Sequence, residues 1–254
     1  MQVAYEERYH ELEAEHWWFV SRRHLVRALI RCERPDRTGR ILDLGCASGQ
    51  LLQELRAEGY TEVTGIDFSE EAVARCCAAG ADARLMDAQK LDFPDATFDV
   101  INASDVLEHL PEEGRALREW GRVLKPGGLA VIFVPAFMFL WTEHDEANMH
   151  FRRYRRDELV RLIEANGLVV QRSSYWNSLL FPPVAAIRFC RGRRRAPGPP
   201  SPGAAEGSVG DLFKPMAPLN ACLTALLRAE NHLSRLGLNW PVGISAFALA
   251  RRPA

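Results

Sequence analysis

The strongest chemical signal is the stretch Ile41-Leu42-Asp43-Leu44-Gly45-Cys46-Ala47-Ser48-Gly49. An apolar run ends there in an acid and then in small residues. Glycines at such a point permit a tight turn and let a ligand approach the backbone closely. If the run is a strand and a helix follows, the turn lies at the carboxyl end of a strand, where open α/β sheets bind ligands. A dinucleotide would need a Gly-x-Gly-x-x-Gly spacing to seat its pyrophosphate on the helix N-terminus. Read that way, the turn is Gly45-Cys46-Ala47-Ser48-Gly49-Gln50, and the register is not kept. Asp67 closes a second apolar run and is followed by Phe68. A carboxylate there can accept both hydroxyls of a ribose, and it would repel a 2′-phosphate.

Other residues could do chemistry nearer a second ligand. His109 follows a further apolar run and, with an ordinary pKa near 6.5, could take a proton from an acceptor hydroxyl. It is expected on the helix that follows, where equally it could be a helix-face histidine that only packs or orients a loop. His144, Asp145 and His150 invite a metal reading, but their spacing is not that of a defined site, so no metal is expected. They read instead as a hydrogen-bonded loop lining an acceptor pocket, with His144 a second candidate for proton transfer. Arg152 and Arg153, beside Tyr154, could hold a carboxylate or phosphate. Three adjacent aromatics, Trp17, Trp18 and Phe19, cannot all face one core on a helix. At least one is expected to face a pocket.

The elements that must position these groups alternate. Strands are expected at residues 40–44, 63–67, 83–87, 98–104 and 129–134, with helices between them, including 70–79 and 112–124. Such alternation points to βαβ units and a parallel sheet, and fully apolar strands fit a sheet covered on both faces. Residues 125–128, Lys-Pro-Gly-Gly, read as a turn. A helix at 157–166 and a strand at 168–176 follow. The rhythm then breaks into an apolar stretch with Pro182-Pro183, an arginine cluster at 191–195 and a Pro/Gly/Ser-rich linker at 192–210. Leucines at 219, 223, 226, 227 and 233 mark an amphipathic helix, and 244–250 reads as a last strand. At the front, residues 7–30 read as one or two helices.

In its observed register, Asp-x-Gly-x-Ala-x-Gly, the first turn resembles the first motif of the class I S-adenosylmethionine (SAM)-dependent methyltransferases, with Ala47 where the family has glycine. Asp67, then Met86-Asp87-Ala88, then Ser104-Asp105-Val106-Leu107-Glu108-His109-Leu110, then Lys125-Pro126-Gly127-Gly128 resemble the family's later motifs, in order. The resemblance implies that Gly45, Cys46, Ala47 and Gly49 shape the turn against the methionine portion of SAM. Asp43 would orient that turn or reach the amino group through water. Asp67 and Phe68 would lie at the ribose, Asp87 and Ala88 at the adenine, and backbone near Ser104 at the methionine amino group. The flanks, His16-Trp17-Trp18-Phe19 with Arg22-Arg23, and His144-Asp145 with His150 to Tyr154, resemble a bacterial methyltransferase type 11/12-like subgroup. Trp18, Phe19 and Arg22 would then belong to a lid, with Arg22 or Arg23 within reach of the methionyl carboxylate. His150, Arg152, Arg153 and Tyr154 would face the acceptor.

The implied fold is α/β: a Rossmann-like, seven-stranded, mostly parallel sheet with helices on both faces and an antiparallel last strand. It is expected as one domain over 1–254. Residues 1–34 form a helical lid, 35–177 the cofactor core, 178–243 a cap insertion and 244–254 the final strand. The implied activity is methyl transfer from SAM to a small-molecule or lipid- or glycan-linked acceptor, giving S-adenosylhomocysteine. A non-catalytic SAM-binding regulator or partner subunit shares the same motifs.

Composition sets outer bounds. The chain has 254 residues with Lys+Arg 32 against Asp+Glu 33, a net charge of −1. That balance excludes a grossly basic nucleic-acid coat, and no nucleic-acid module is visible, so no nucleic-acid partner is expected. Six scattered cysteines without a Cys-x-x-Cys pair read as reduced thiols of a cytoplasmic protein. The front of the chain has acids where a signal peptide needs a basic start, and no apolar run is long enough to span a bilayer. An apolar-then-basic order at 179–195 suits peripheral contact with an anionic membrane.

Overall fold

The structure is a computed structural model that describes residues 12–192 and 215–254, with side chains for all of these except 189–192. Seven strands form one sheet: β1 (Ile41–Leu44), β2 (Val63–Asp67), β3 (Asp82–Leu85), β4 (Phe98–Ser104), β5 (Leu124–Pro135), β6 (Val169–Trp176) and β7 (Ser245–Arg251). Their order is β3-β2-β1-β4-β5-β7-β6. The first five run parallel, and β7 enters antiparallel to both β5 and β6. The chain first winds outward from β1 to β3, then returns to place β4 on the other side of β1. That reversal opens a crevice between the carboxyl ends of β1 and β4, where ligands of doubly wound sheets sit.

Helices cover both faces. One carries α1 (Trp17–Glu33), α2 (Gln50–Ala57), α3 (Glu70–Ala78) and α8 (Ala217–Arg235); the other carries α4 (Glu113–Val123) and α6 (Arg156–Ala165). A short α5 (Glu143–Ala147) and α7 (Phe181–Gly192) lie near the strand ends. Strand β5 shows why the sheet is doubly buried. Leu129, Val131 and Phe133 pack among the α1 and α2 side chains, while Ala130, Ile132 and Val134 pack among those of α4 and α6. The alternation is the period-2 geometry of a strand, with apolar residues demanded on both sides.

Several expectations shift locally. The Lys125–Gly128 turn lies inside β5, which already pairs Leu124 with Phe98; Gly127, at φ +75°, kinks the strand there. His109 lies in a single 3-10 turn, Leu107–His109, not on a longer helix. The residues around His144 form α5, closed by a capping box between Thr142 and Asp145. Pro182 and Pro183 do not prevent α7, because they occupy its first turn, where backbone N–H groups have no helical acceptor.

The region between β6 and β7 divides its work. α7 reaches the strand ends, whereas α8 lies along α1 on the face of the sheet. Buried Glu230 of α8 accepts the N–H groups of Ser178 (2.9 Å) and Leu179 (3.1 Å). Its neighbour Asn231 accepts from the Trp176 indole (2.8 Å) and donates to the Ser21 carbonyl (2.8 Å). Among the described residues of the insertion, α7 thus borders the crevice and α8 packs against α1. The arginines at 193–195, nearly all of the 192–210 linker and the first eleven residues lie outside the described residues.

Candidate functional site

The first turn is held in a conformation that few side chains tolerate. Gly45, Ala47 and Gly49 have φ of +67°, +46° and +79°. A Cβ on Gly45 would lie 2.8 Å from Cγ2 of Val106, and one on Gly49 would lie 2.8 Å from Sγ of Cys76. Both glycines are thus required by conformation and by space. Ala47 accepts the left-handed strain, and its N–H donates to Oδ2 of Asp67 (2.9 Å). The other carboxylate oxygen of Asp67 accepts the Ser69 N–H at the start of α3 (2.9 Å). One acid at the end of β2 therefore ties two loops together. A carboxylate oxygen can accept more than one hydrogen bond. Glu13 closes the turn from the front, accepting from Ser48 N–H (3.1 Å) and Oγ (2.5 Å).

Above the strand ends lies a cavity of about 1190 Å³. Single drug-sized ligands occupy sites of roughly 300–1,000 Å³, so there is room for a cofactor and a second ligand. Its wall includes Gly45, Ala47, Asp67, Phe68, Asp87, Ala88 and Ser104 of the expected cofactor set, and Trp18, Phe19, His109, His144, His150 and Arg153 of the expected acceptor set. Phe68 is 83% exposed and stands beside Asp67 with its ring open to the cavity. Asp87 accepts the Gln89 N–H (2.8 Å), which fixes the loop after β3.

Six expected residues lie outside that wall. Gly49 and buried Cys46 belong to the turn's inner side; the Cys46 and Cys76 sulfurs are 3.8 Å apart. Asp43 is buried within the sheet. The β1–β4 register places it opposite Asn102, whose amide donates to it (2.7 Å), and Asn102 in turn accepts from Ser104 Oγ (3.1 Å). Burial pushes the Asp43 carboxyl up to about 7, despite the Asn102 hydrogen bond. Its path to the cavity runs through Asn102 and Ser104.

The arginines are also differently engaged. Arg22 is 4% exposed and its guanidinium lies 4.4 and 4.3 Å from the Phe133 and Trp176 rings. It donates to Oδ2 of Asp105 (3.0 Å) and to Ser245 Oγ (2.8 Å). The expected reach to a methionyl carboxylate is replaced by a grip on the loop after β4, where Asp105 has φ +57°. Arg152 and the Tyr154 hydroxyl both donate to Oε2 of Glu113 at the start of α4. Both are drawn away from the cavity by that carboxylate. Arg153 stays in the wall, but its Nε and Nη2 hold both oxygens of Asp145 (2.7 and 2.8 Å).

Asp145 is the hub of the expected acceptor end. It is fully buried and also accepts from His150 Nδ1 (2.9 Å) and Thr142 N–H (2.8 Å). Burial alone would raise its carboxyl; His150 and Arg153 instead hold it well below the usual carboxylate range. His109 faces His150 edge-on, with ring centroids 4.5 Å apart, and His144 lies 6.1 Å beyond. Burial, followed by the His150 neighbour, pushes His109 down to about 3. It is therefore neutral at physiological pH and a weaker base than its type suggests.

Sequence reasoning passed over two acids of the wall, Asp105 and Glu108, although both lie in the quoted stretch between Ser104 and His109. Their signal was position alone: they follow the strand that borders the topological switch. His16, Met149, Phe151 and Ile187 are further lining residues without a prior role.

Known proteins now give this architecture its context. A profile of the family described as "Methyltransferase domain" matches residues 18–173, more than half of the chain. A protein of Mycobacterium tuberculosis named a probable S-adenosylmethionine-dependent methyltransferase is 32% identical over 166 residues, 63% of this chain and 58% of that one. The 27-O-demethylrifamycin SV methyltransferase of Amycolatopsis mediterranei is 39% identical over 103 residues, 37% of this chain and 38% of that one. The chain thus matches less than two thirds of the length of either relative. Among solved structures, a SAM-dependent methyltransferase from Archaeoglobus fulgidus superposes with a TM-score of 0.54 at 20% identity, covering 91% of this chain and 94% of that one, a likeness of fold. The sheet order, the turn after β1 and the profile match agree: the chain belongs to the class I SAM-dependent methyltransferase family.

Proposed function

We propose that the protein transfers a methyl group from SAM to a small-molecule or lipid- or glycan-linked acceptor with a substantial apolar part. The observation that carries this reading is the two-ended cavity. One end has the strained turn, Asp67, Phe68 and Asp87. The other has Glu108, His109 and His150, and opens past Met149, Phe151 and Ile187, each more than half exposed. Such a rim favours an acceptor that buries hydrocarbon as it enters.

The residues fit the cofactor. Gly45 keeps the turn free of a side chain at the cavity wall, Asp67 presents a carboxylate that can accept ribose hydroxyls, and Phe68 offers a face for adenine. Asp87 and Ala88 would flank that base. When bound, SAM supplies an electrophilic methyl group on a sulfonium. The chain's task is then mostly positioning, since holding donor and acceptor in line supplies much of the rate. Trp18, packed edge-on against Trp176 at 5.1 Å, and Phe19 close the cavity from the α1 side and would exclude water. The polar groups converging at the acceptor end weigh against a purely non-catalytic SAM-binding role.

Two measurements test the reading. Calorimetry should find binding of SAM and S-adenosylhomocysteine; failure of both would end it. Incubation with methyl-tritiated SAM and a cell extract should move label into the organic-extractable fraction. Label appearing only in water-soluble products would remove the apolar part of the proposal.

A further inference from the structure

The acceptor end holds a cluster that the transfer of a methyl group does not by itself require. Glu108, at the end of the loop after β4, is wholly buried, and neither of its carboxylate oxygens has a hydrogen-bond partner among the described residues. Leaving such a group unpaired is costly, and it calls for a partner. Beside it stand His109 and His150. One ligand atom from each of the three residues lies within 4.8 Å of the others. Three atoms bound tetrahedrally to one ion at about 2.0–2.2 Å sit ~3.3–3.6 Å apart, so the cluster closes on an ion by side-chain movements of up to about an ångström.

The surroundings orient the two imidazoles. His150 Nδ1 is engaged by the Asp145 carboxylate, itself clamped by Arg153, which leaves Nε2 as the free lone pair. Carboxylate–histidine pairs of this kind fix the tautomer of metal ligands. His109 is hydrogen-bonded through its ring to the Asn148 backbone, which leaves its other ring nitrogen to face the cluster. The Phe151 N–H donates to the Glu108 carbonyl (2.8 Å) and holds the two loops together. Of the charges that act on Glu108, Asp105 adds negative potential, while Arg22 and Arg153 are each already paired with a carboxylate.

We propose that Glu108, His109 and His150 form a binding site for one divalent transition-metal ion, open on its remaining side to the cavity. Two imidazoles and one carboxylate suit zinc and its first-row neighbours, and a three-ligand set leaves positions for water or an acceptor oxygen. This goes beyond the methyl-transfer reading and is tested with the metal alone, so either can fail without the other.

The full chain, stripped with a chelator and dialysed, is titrated with Zn²⁺ by calorimetry and with Co²⁺ by visible absorption. One equivalent should bind at micromolar or tighter affinity, and bound Co²⁺ should show d–d bands. Glu108→Gln and His150→Ala should each weaken binding at least tenfold, while His232→Ala, on an exposed part of α8, should not. Glu108→Gln keeps the shape of the side chain, and circular dichroism of the metal-free variants confirms that they fold. Absence of saturable binding of both ions, or binding that survives both ligand substitutions, would overturn the site.

Discussion

Phe68 offers a clean perturbation of the cofactor end. Its side chain is 83% exposed, so it contributes little to the fold, yet it borders the cavity next to Asp67. A phenylalanine side chain has a buriable area of roughly 200 Å². A base lying on one face would cover a little under half of that. At about 25 cal/mol per Å² the cover is worth about 2 kcal/mol, within the ~1–3 kcal/mol found for a base stacked on an aromatic ring. Phe68→Ala should therefore weaken S-adenosylhomocysteine binding by about 30-fold, with the melting temperature of the ligand-free protein unchanged. Isothermal calorimetry on both proteins reads the first quantity and a thermal melt the second. An affinity within twofold of wild type would refute adenine stacking at this ring. A large fall in melting temperature would refute the premise that Phe68 stands outside the core.

Three further outcomes follow from geometry. Gly49→Ala forces a side chain into φ +79° and to 2.8 Å from the Cys76 sulfur; a loss of about 2–4 kcal/mol in denaturant melts is expected. Arg22→Ala strips three aromatic contacts and the partner of Asp105; because Asp105 keeps some water contact, the expected loss is about 2–3 kcal/mol, below that of a fully buried pair, and SAM affinity should fall as the Asp105 loop loosens. Asp43 gives a pH signature. Its folded-state carboxyl titrates near 7, against an ordinary value of 3.8, so the folded state holds the extra proton between those values. Stability of the ligand-free protein should then decline as pH rises from about 4 to 7, by at most ~4 kcal/mol, and level off above. Asp43→Asn should flatten that slope, and an unchanged pH profile would show that Asp43 is not the group responsible.

The sheet and its ligand edge were legible because parallel strands leave apolar runs and because turns after them need small or acidic residues. The places of Gly45, Asp67 and Asp87 in the cavity wall could be read for that reason: one local segment sets each position. Contacts across strands could not. Asp43 meets Asn102 only through the β1–β4 register, and Arg22 finds Asp105 and Ser245 only once α1 has docked. The same holds for the Glu108–His150 cluster. Spacing within residues 144–150 argued against a metal because the other ligand atoms come from a neighbouring strand end. For Arg152 and Tyr154, composition showed a basic cluster beside an aromatic but not Glu113, the acid that draws them off.

The position of β7 has a consequence for how the chain comes together during synthesis. Among the described residues, β6 pairs with β7 and makes one isolated bridge to Trp240, and β7 emerges from the ribosome only after residues 177–244. Strands β1 to β5 can pair as they appear, whereas β6 and the open edge of β5 must wait, exposed, for a late segment to fill the gap between them. Non-local pairing of this kind is slow and leaves unpaired strand edges vulnerable to association. A nascent chain halted before β7 should be held by chaperones, and release of β7 should convert it to a protease-resistant form in one step.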